Sequence, residues 1–321
     1  MKKHVPHRLF PALVLMAAAC DTAPKERQSA PSAAPAGQSA LSAPSAAPDE
    51  QSTKPAESGY ADVNGLKLYY EVYGKGKPIV LLHGSYMNIP MNWAQAIPLL
   101  STSRQVIVAE MQGHGRTRDV PREFSYEAMA DDVSGLLGHL KIESADALGY
   151  SMGGGIALQL AIRHPERVRR LVILSGAYSH DGWWEDVEKS FASMNAEAFK
   201  GTPIEKEYLR FGNDPQKFPE FVKKVISPDL KPYDWSKEAR SIKAPMFIVI
   251  GDVDGIRYEH ALELFRAKGG GKMGDLHGLP KSRLAILPST THIGMMQRWS
   301  WLVPMIDDFL DSDLNAKPPT F

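Results

Sequence analysis

The sequence predicts an α/β fold, a mostly parallel sheet with helices packed on both faces. Three observations carry this expectation. First, short runs that are apolar nearly throughout recur along the chain, among them Pro78-Ile79-Val80-Leu81-Leu82, Val106-Ile107-Val108-Ala109, Val172-Ile173-Leu174 and Met246-Phe247-Ile248-Val249-Ile250. Strands buried on both faces read this way. Second, segments with apolar residues at 3.6 spacing alternate with these runs, around 126–140 and 155–162, and such alternation indicates parallel strands joined by helices. Third, the runs end in glycine-rich turns, and ligands of such sheets bind beyond the carboxyl ends of the strands.

At 321 residues, 43% of them hydrophobic, the chain can bury one large α/β domain with a substantial insertion. A formal net charge of +0 leaves no electrostatic footprint for nucleic acid or for an anionic membrane surface. No internal repeat is present, and no apolar run reaches the roughly 18 residues of a spanning helix.

Taken in order, residues 1–20 read as a signal peptide. Lys2, Lys3 and Arg8 form a basic region, and an apolar stretch from 9 to 19 ends at Cys20, the chain's single cysteine. Small residues directly before a cysteine resemble the lipobox of bacterial lipoproteins, which implies cleavage and lipidation at Cys20 and anchoring in the cell envelope. Ala17 stands where that motif usually carries Leu, and Ala17-Ala18-Ala19 also suits ordinary signal cleavage. Secretion without an anchor therefore stays open, as does a leader that is never used. Residues 21–58 are dominated by Ala, Pro, Ser and Gln, a composition that buries too little apolar surface to fold, and are expected to be a disordered tether. Cys20 has no intramolecular disulfide partner.

Residues 59–177 and 245–312 form the expected core. Asn64-Gly65 between strand-like runs signals a hairpin. The buried runs at 78–82 and 106–109 follow, ending near His83-Gly84-Ser85 and Gly113-His114-Gly115-Arg116. After the helix around 126–140 comes Ala145-Asp146-Ala147-Leu148, then Gly149-Tyr150-Ser151-Met152-Gly153-Gly154 and a further helix. A Gly-x-Ser-x-Gly turn between strand and helix exposes the serine Oγ above the sheet edge. Beyond a helical cap insertion at 178–244, the run at 246–250 leads to Gly251-Asp252-Val253-Asp254, and Leu284-Ala285-Ile286-Leu287 leads to Thr290-Thr291-His292. Residues 313–321 form a C-terminal tail.

Together these turns resemble the α/β-hydrolase superfamily over roughly residues 60–312, and the chain is similar to its serine esterases, enol-lactone hydrolases and cofactor-free perhydrolases. The family order of nucleophile, acid and histidine implies Ser151, Asp254 and His292. A serine hydroxyl is a poor nucleophile near neutral pH, so it needs an adjacent base, and a carboxylate to orient that base. The backbone N–H groups of Met152 and Ser85 are the candidate oxyanion donors. Asp252 also follows the strand, and the resemblance favours Asp254. Of the downstream histidines, His260 is expected on a helix and His277 in a glycine-rich insertion, and only His292 closely follows a strand. His83, His114 and Glu110 are expected to be structural.

The cap is rich in aromatic residues, most of them expected in its own core, with Trp183 and Trp184 nearest the strand end as candidate pocket walls and substrate contacts. No metal constellation is present in the sequence, and no cofactor is expected. The resulting expectation is an exported serine hydrolase acting on a small-molecule ester or lactone, with no nucleic-acid partner and membrane contact only through the N-terminal anchor. Hydrolysis of a carbon–carbon bond in β-diketone-type substrates and a ligand-binding module on the same fold are the alternatives. Oligomeric state is left open.

Overall fold

Residues 54–315 are described by the structure, a computed structural model. The leader, Cys20, the tether up to residue 53 and the tail from residue 316 lie outside the described residues. Eight strands make one sheet: β1 (Glu57–Val63), β2 (Leu66–Tyr73), β3 (Lys77–Leu82), β4 (Arg104–Ala109), β5 (Ala145–Tyr150), β6 (Val168–Leu174), β7 (Met246–Val253) and β8 (Arg283–Thr291). Their spatial order is β1-β2-β4-β3-β5-β6-β7-β8. The β1–β2 and β2–β4 pairs are antiparallel, and every pair from β4–β3 onward is parallel.

The hairpin at the sheet's start obeys turn chemistry. Val63 pairs with Leu66 across a two-residue loop, and Asn64 (φ 48°) and Gly65 (φ 79°) both adopt left-handed backbone. That is the geometry that favours Asn-Gly in two-residue hairpins.

Helices cover both faces. In chain order they are α1 (Ile89–Trp93), α2 (Ala96–Leu100), α3 (Tyr126–His139), α4 (Met152–Arg163), α5 (Glu185–Phe191), α6 (Pro203–Arg210), α7 (Phe218–Ile226), α8 (Ser236–Ser241), α9 (Tyr258–Ala267), α10 (Gly274–His277) and α11 (Trp299–Asp311). Along β3 and β4, Val80, Leu82, Ile107 and Ala109 face a core shared with α3, α4 and α9. The alternate residues Ile79, Leu81, Val106 and Val108 face a second core with α1, α2 and α11. Because successive side chains point to opposite faces, both halves of each strand are removed from water, and the sequence runs read as continuously apolar. At about 25 cal/mol per Å² of apolar area buried, these two cores supply the main drive to fold. No described helix is long and apolar enough to cross a membrane.

Strand β8 runs four residues past the expected Leu287. A register shift in the β7–β8 ladder between Gly251 and Val253 lets pairing resume at Val253 and Thr291. Gly251 permits this approach, since a Cβ there would lie 1.8 Å from the Thr290 carbonyl oxygen. This extension delivers the residues after β7 and β8 to neighbouring positions at the sheet's edge.

Candidate active site

Ser151 occupies the turn between β5 and α4 with φ 54° and ψ −118°. A non-glycine residue held there stores about 1–3 kcal/mol of backbone strain. The surroundings enforce it. The Ser151 N–H donates to the Leu174 carbonyl at 2.9 Å, and its carbonyl accepts from the N–H groups of Gly154 and Gly155 at 2.8 and 3.2 Å. The glycines of the motif are sterically required. A Cβ on Gly149 would sit 2.0 Å from the Gly153 carbonyl oxygen, and one on Gly153 would sit 1.9 Å from that of Leu82.

His292, directly after β8, brings Nε2 within 2.9 Å of Ser151 Oγ, while its Nδ1 lies 2.7 Å from Asp254 Oδ1. With Nδ1–H donating to the carboxylate, Nε2 is left to accept from the hydroxyl. The ring is further fixed by Tyr150, whose OH donates to the His292 carbonyl at 2.9 Å. Asp254 is buried, and burial alone would raise its pKa. The charge of His292 together with hydrogen bonds from His292, Ser175 and the Ile256 N–H outweighs that and holds the carboxyl below its usual range.

Asp252 has a different job. Its exposed carboxylate accepts from the Ser289 and Thr290 N–H groups at 3.0 and 3.1 Å, tying β7 to the end of β8. Of the two aspartates, Asp252 near the end of β7 and Asp254 just after it, the structure brings only Asp254 to His292.

The N–H groups of Ser85 and Met152 have no hydrogen-bond partner among the described residues, and both residues line the cavity above Ser151. Buried Asn92, from α1, accepts from the Gly84 N–H at 2.8 Å and so holds the turn that presents Ser85. A Cβ on Gly84 would meet the Tyr150 ring at 2.8 Å, so this turn too depends on glycine. Two supporting residues, Asn92 and Ser175, were not singled out from the sequence. Ser175 follows β6 in left-handed backbone (φ 50°) and donates to Asp254 Oδ2 at 2.5 Å. Its position directly after a strand, like that of Ser151, was the available signal.

The other histidines weighed in the sequence, His83, His114, His260 and His277, are structural or exposed. His83 is buried, with Nδ1 2.9 Å from the Gly84 carbonyl and Nε2 accepting from the Met111 N–H at 3.0 Å. His114 is buried with Nδ1 2.9 Å from the Gln112 carbonyl, and His277 is exposed. Glu110 is fully buried beneath Arg116, accepting from the backbone N–H groups of Ile89 and Arg116. His260 lies on α9 as expected, but buried: its ring stacks on Tyr178 at 3.6 Å and its Nε2 accepts from the Tyr178 N–H at 3.1 Å.

Burial pushes the His260 pKa down from 6.5 to about 4. An unfolded chain therefore binds a proton near pH 6.5 that the folded chain refuses until about pH 4. The stability this histidine leaves intact above that window is lost as pH falls through it, at up to about 1.4 kcal/mol per pH unit. His260→Gln, which keeps an acceptor for the Tyr178 N–H, should flatten the acid-side slope of unfolding free energy by about that amount. Urea unfolding followed from neutral pH into this acid window checks the prediction, and an unchanged slope would mean that His260 is charged in the folded protein.

A cavity of about 710 Å³ opens over Ser151 and His292, roofed by the segment between β6 and β7. Its walls are largely apolar, with Tyr86, Phe191, Phe199, Ile226 and Met296 prominent. Trp183 lines it, with its ring 5.4 Å from that of His292. Trp184 does not, which corrects the expectation that both tryptophans wall the pocket. Successive residues point to opposite sides of this extended stretch, so Trp184 is 38% exposed, packs on Tyr258 and donates Nε1–H to the Asp254 carbonyl at 3.1 Å. Among the described residues no cluster of His, Cys, Asp and Glu could hold a metal ion.

A family model described as alpha/beta hydrolase fold matches residues 77–290, a stretch that includes Ser151 and Asp254. The chain belongs to the alpha/beta hydrolase fold family. Within it, the chain is 45% identical over 107 residues to a 2-hydroxymuconate semialdehyde hydrolase of Pseudomonas sp. (strain CF600), covering 32% of this chain and 38% of that protein. The match thus spans well under half the length of that relative. Over a longer stretch it is 30% identical to the AB hydrolase superfamily protein YisY of Bacillus subtilis (strain 168), across 229 residues, 62% of this chain and 82% of that one. The enol-lactonase from Burkholderia xenovorans LB400 superposes with a TM-score of 0.59 at 25% identity, covering 79% of this chain and all of that one.

Proposed function

We propose that the chain is a serine hydrolase that cleaves a small carboxylic ester or lactone through Ser151, His292 and Asp254. The observation that carries this reading is the unbroken hydrogen-bond line from Ser151 Oγ through His292 to Asp254 at the base of a largely apolar cavity. In the first half-reaction Oγ attacks the acyl carbon while His292 Nε2 takes its proton. Asp254 stabilises the imidazolium that forms. The oxyanion accepts from the Ser85 and Met152 N–H groups, donors of a kind worth about 3–4 kcal/mol each to the transition state. His292 then protonates the leaving alkoxide, giving an acyl-serine, and the same base activates water to release the acid and restore Ser151.

A second reading, hydrolysis of a carbon–carbon bond beside a ketone, is favoured by the similarity to the 2-hydroxymuconate semialdehyde hydrolase. The compound named there has no ester to cleave. The two readings separate on a panel of p-nitrophenyl esters of increasing chain length, several lactones and several β-diketones. Turnover of esters or lactones with an acyl-enzyme trapped by rapid quench is the expected result, and turnover confined to the diketones would transfer the assignment to carbon–carbon cleavage. A folded protein that no fluorophosphonate probe labels would instead favour a binding module.

Export with a lipid anchor on Cys20 belongs to the same proposal, supported by the basic, apolar and small-residue pattern of residues 1–20. Cys20→Ser should move the protein from the membrane to the soluble fraction of the producing cells, and an unchanged distribution would remove the anchor.

A further inference from the structure

Two carboxyl groups line the cavity, and only one is already spoken for. Glu207 hydrogen-bonds to Asn88 at 3.2 Å and pairs with Arg210 at 2.8 Å. Asp229, in the loop after α7, is 5% exposed and contributes to the cavity wall. Its Oδ1 accepts from the Tyr126 hydroxyl at 2.6 Å, and its Oδ2 accepts from no donor among the described residues. The backbone around it is pinned, since the Asp229 N–H donates to the Ile226 carbonyl at 3.0 Å and the Asp229 carbonyl lies 2.9 Å from His180 Nε2. Tyr126 is in turn held by the rings of Tyr233 and Trp235, at 5.7 and 5.2 Å.

The carboxyl is rigidly seated and keeps one oxygen without a protein donor where it opens onto a largely apolar cavity, and covering that oxygen with a substrate that offers no donor costs about 1–3 kcal/mol. The Tyr126 hydroxyl needs a single acceptor, which explains Oδ1 and leaves Oδ2 unexplained by folding. We propose that Asp229 is a specificity residue that accepts a hydrogen bond from a hydroxyl on the substrate, which makes hydroxylated esters or lactones the preferred class. This inference rests on the serine-hydrolase reading. Burial raises the Asp229 pKa to about 6, so near neutral pH the group is chiefly the carboxylate that such a hydroxyl would meet. A hydroxyl bonded to a charged acceptor discriminates by about 10- to 100-fold against its deoxy counterpart.

The test is a series of p-nitrophenyl hydroxyalkanoates, with the hydroxyl moved along the acyl chain, each paired with its unsubstituted ester. The wild-type chain should prefer the hydroxylated member at one position by about 10-fold or more in kcat/KM. Asp229→Asn, and the double change Asp229→Leu with Tyr126→Phe, which strands no hydroxyl, should both shrink that ratio toward unity. Fluorophosphonate labelling of Ser151 is followed in every protein. If the wild type labels but shows no preference at any position, the role of Asp229 is overturned while the serine assignment stands, whatever the variants do. The same holds if the preference survives in a variant that labels. If the wild type does not label, both readings fall together.

Discussion

Ser151→Ala is expected to lower kcat by about 10⁶-fold, the scale seen when the nucleophile of such a unit is removed. The fold should survive. Alanine inherits the same left-handed strain as serine, and the backbone bonds that hold the turn, from Ser151 to Leu174, Gly154 and Gly155, involve no side-chain atom. Loss of activity with an unchanged thermal midpoint is therefore the signature, measured as initial rates beside a melting curve on the same preparation. Equal hydrolysis by variant and wild type would remove Ser151 from the chemistry. The residual rate is informative too, because the Ser85 and Met152 donors and the cavity remain in place.

The next largest effect is expected at Asp254. Asp254→Asn keeps the shape but presents an amide N–H to His292 Nδ1, which forces the proton onto Nε2 and leaves no base facing Ser151. A loss of about 10⁴-fold in kcat follows. Asp252→Asn should stay within about threefold in kcat, since that side chain accepts only from the Ser289 and Thr290 N–H groups, and should cost about 1 kcal/mol of stability. Rates and denaturation midpoints of the two variants, compared side by side, separate an orienting carboxylate from one that ties strands together. A large kcat loss for Asp252→Asn alone would reverse the assignment.

These contrasts reflect what was legible in the chain. The strand runs, the Asn64-Gly65 hairpin and the serine turn could be read because each depends on neighbours a few positions away. The excess length of β8 could not, because it depends on a register shift in a ladder with β7 and on the close approach at Gly251. The burial of His260 was equally hidden, since its partner Tyr178 lies 82 positions upstream. Trp183 and Trp184 are adjacent and chemically alike, so only the direction of the backbone between them decides which one faces the cavity. Asp229 gave no signal at all, being one acidic residue among many in the cap and lying in a loop beyond the apolar face of α7.

By itself the sequence determined the alternation of strands and helices, the strained serine between two obligatory glycines, and an order of serine, aspartate and histidine along the chain. Local sterics and burial periodicity enforce the first two within short windows, and the order is what the resemblance to the α/β-hydrolase superfamily implies. Only the tertiary structure decided that Ser151 meets a histidine 141 positions away, that Asp254 rather than Asp252 stands behind it, and that Ser175 and Asn92 support the arrangement. Those choices depend on which strand ends lie side by side. That is a property of the packed sheet, set by the two cores on its faces and carried by no single stretch of residues.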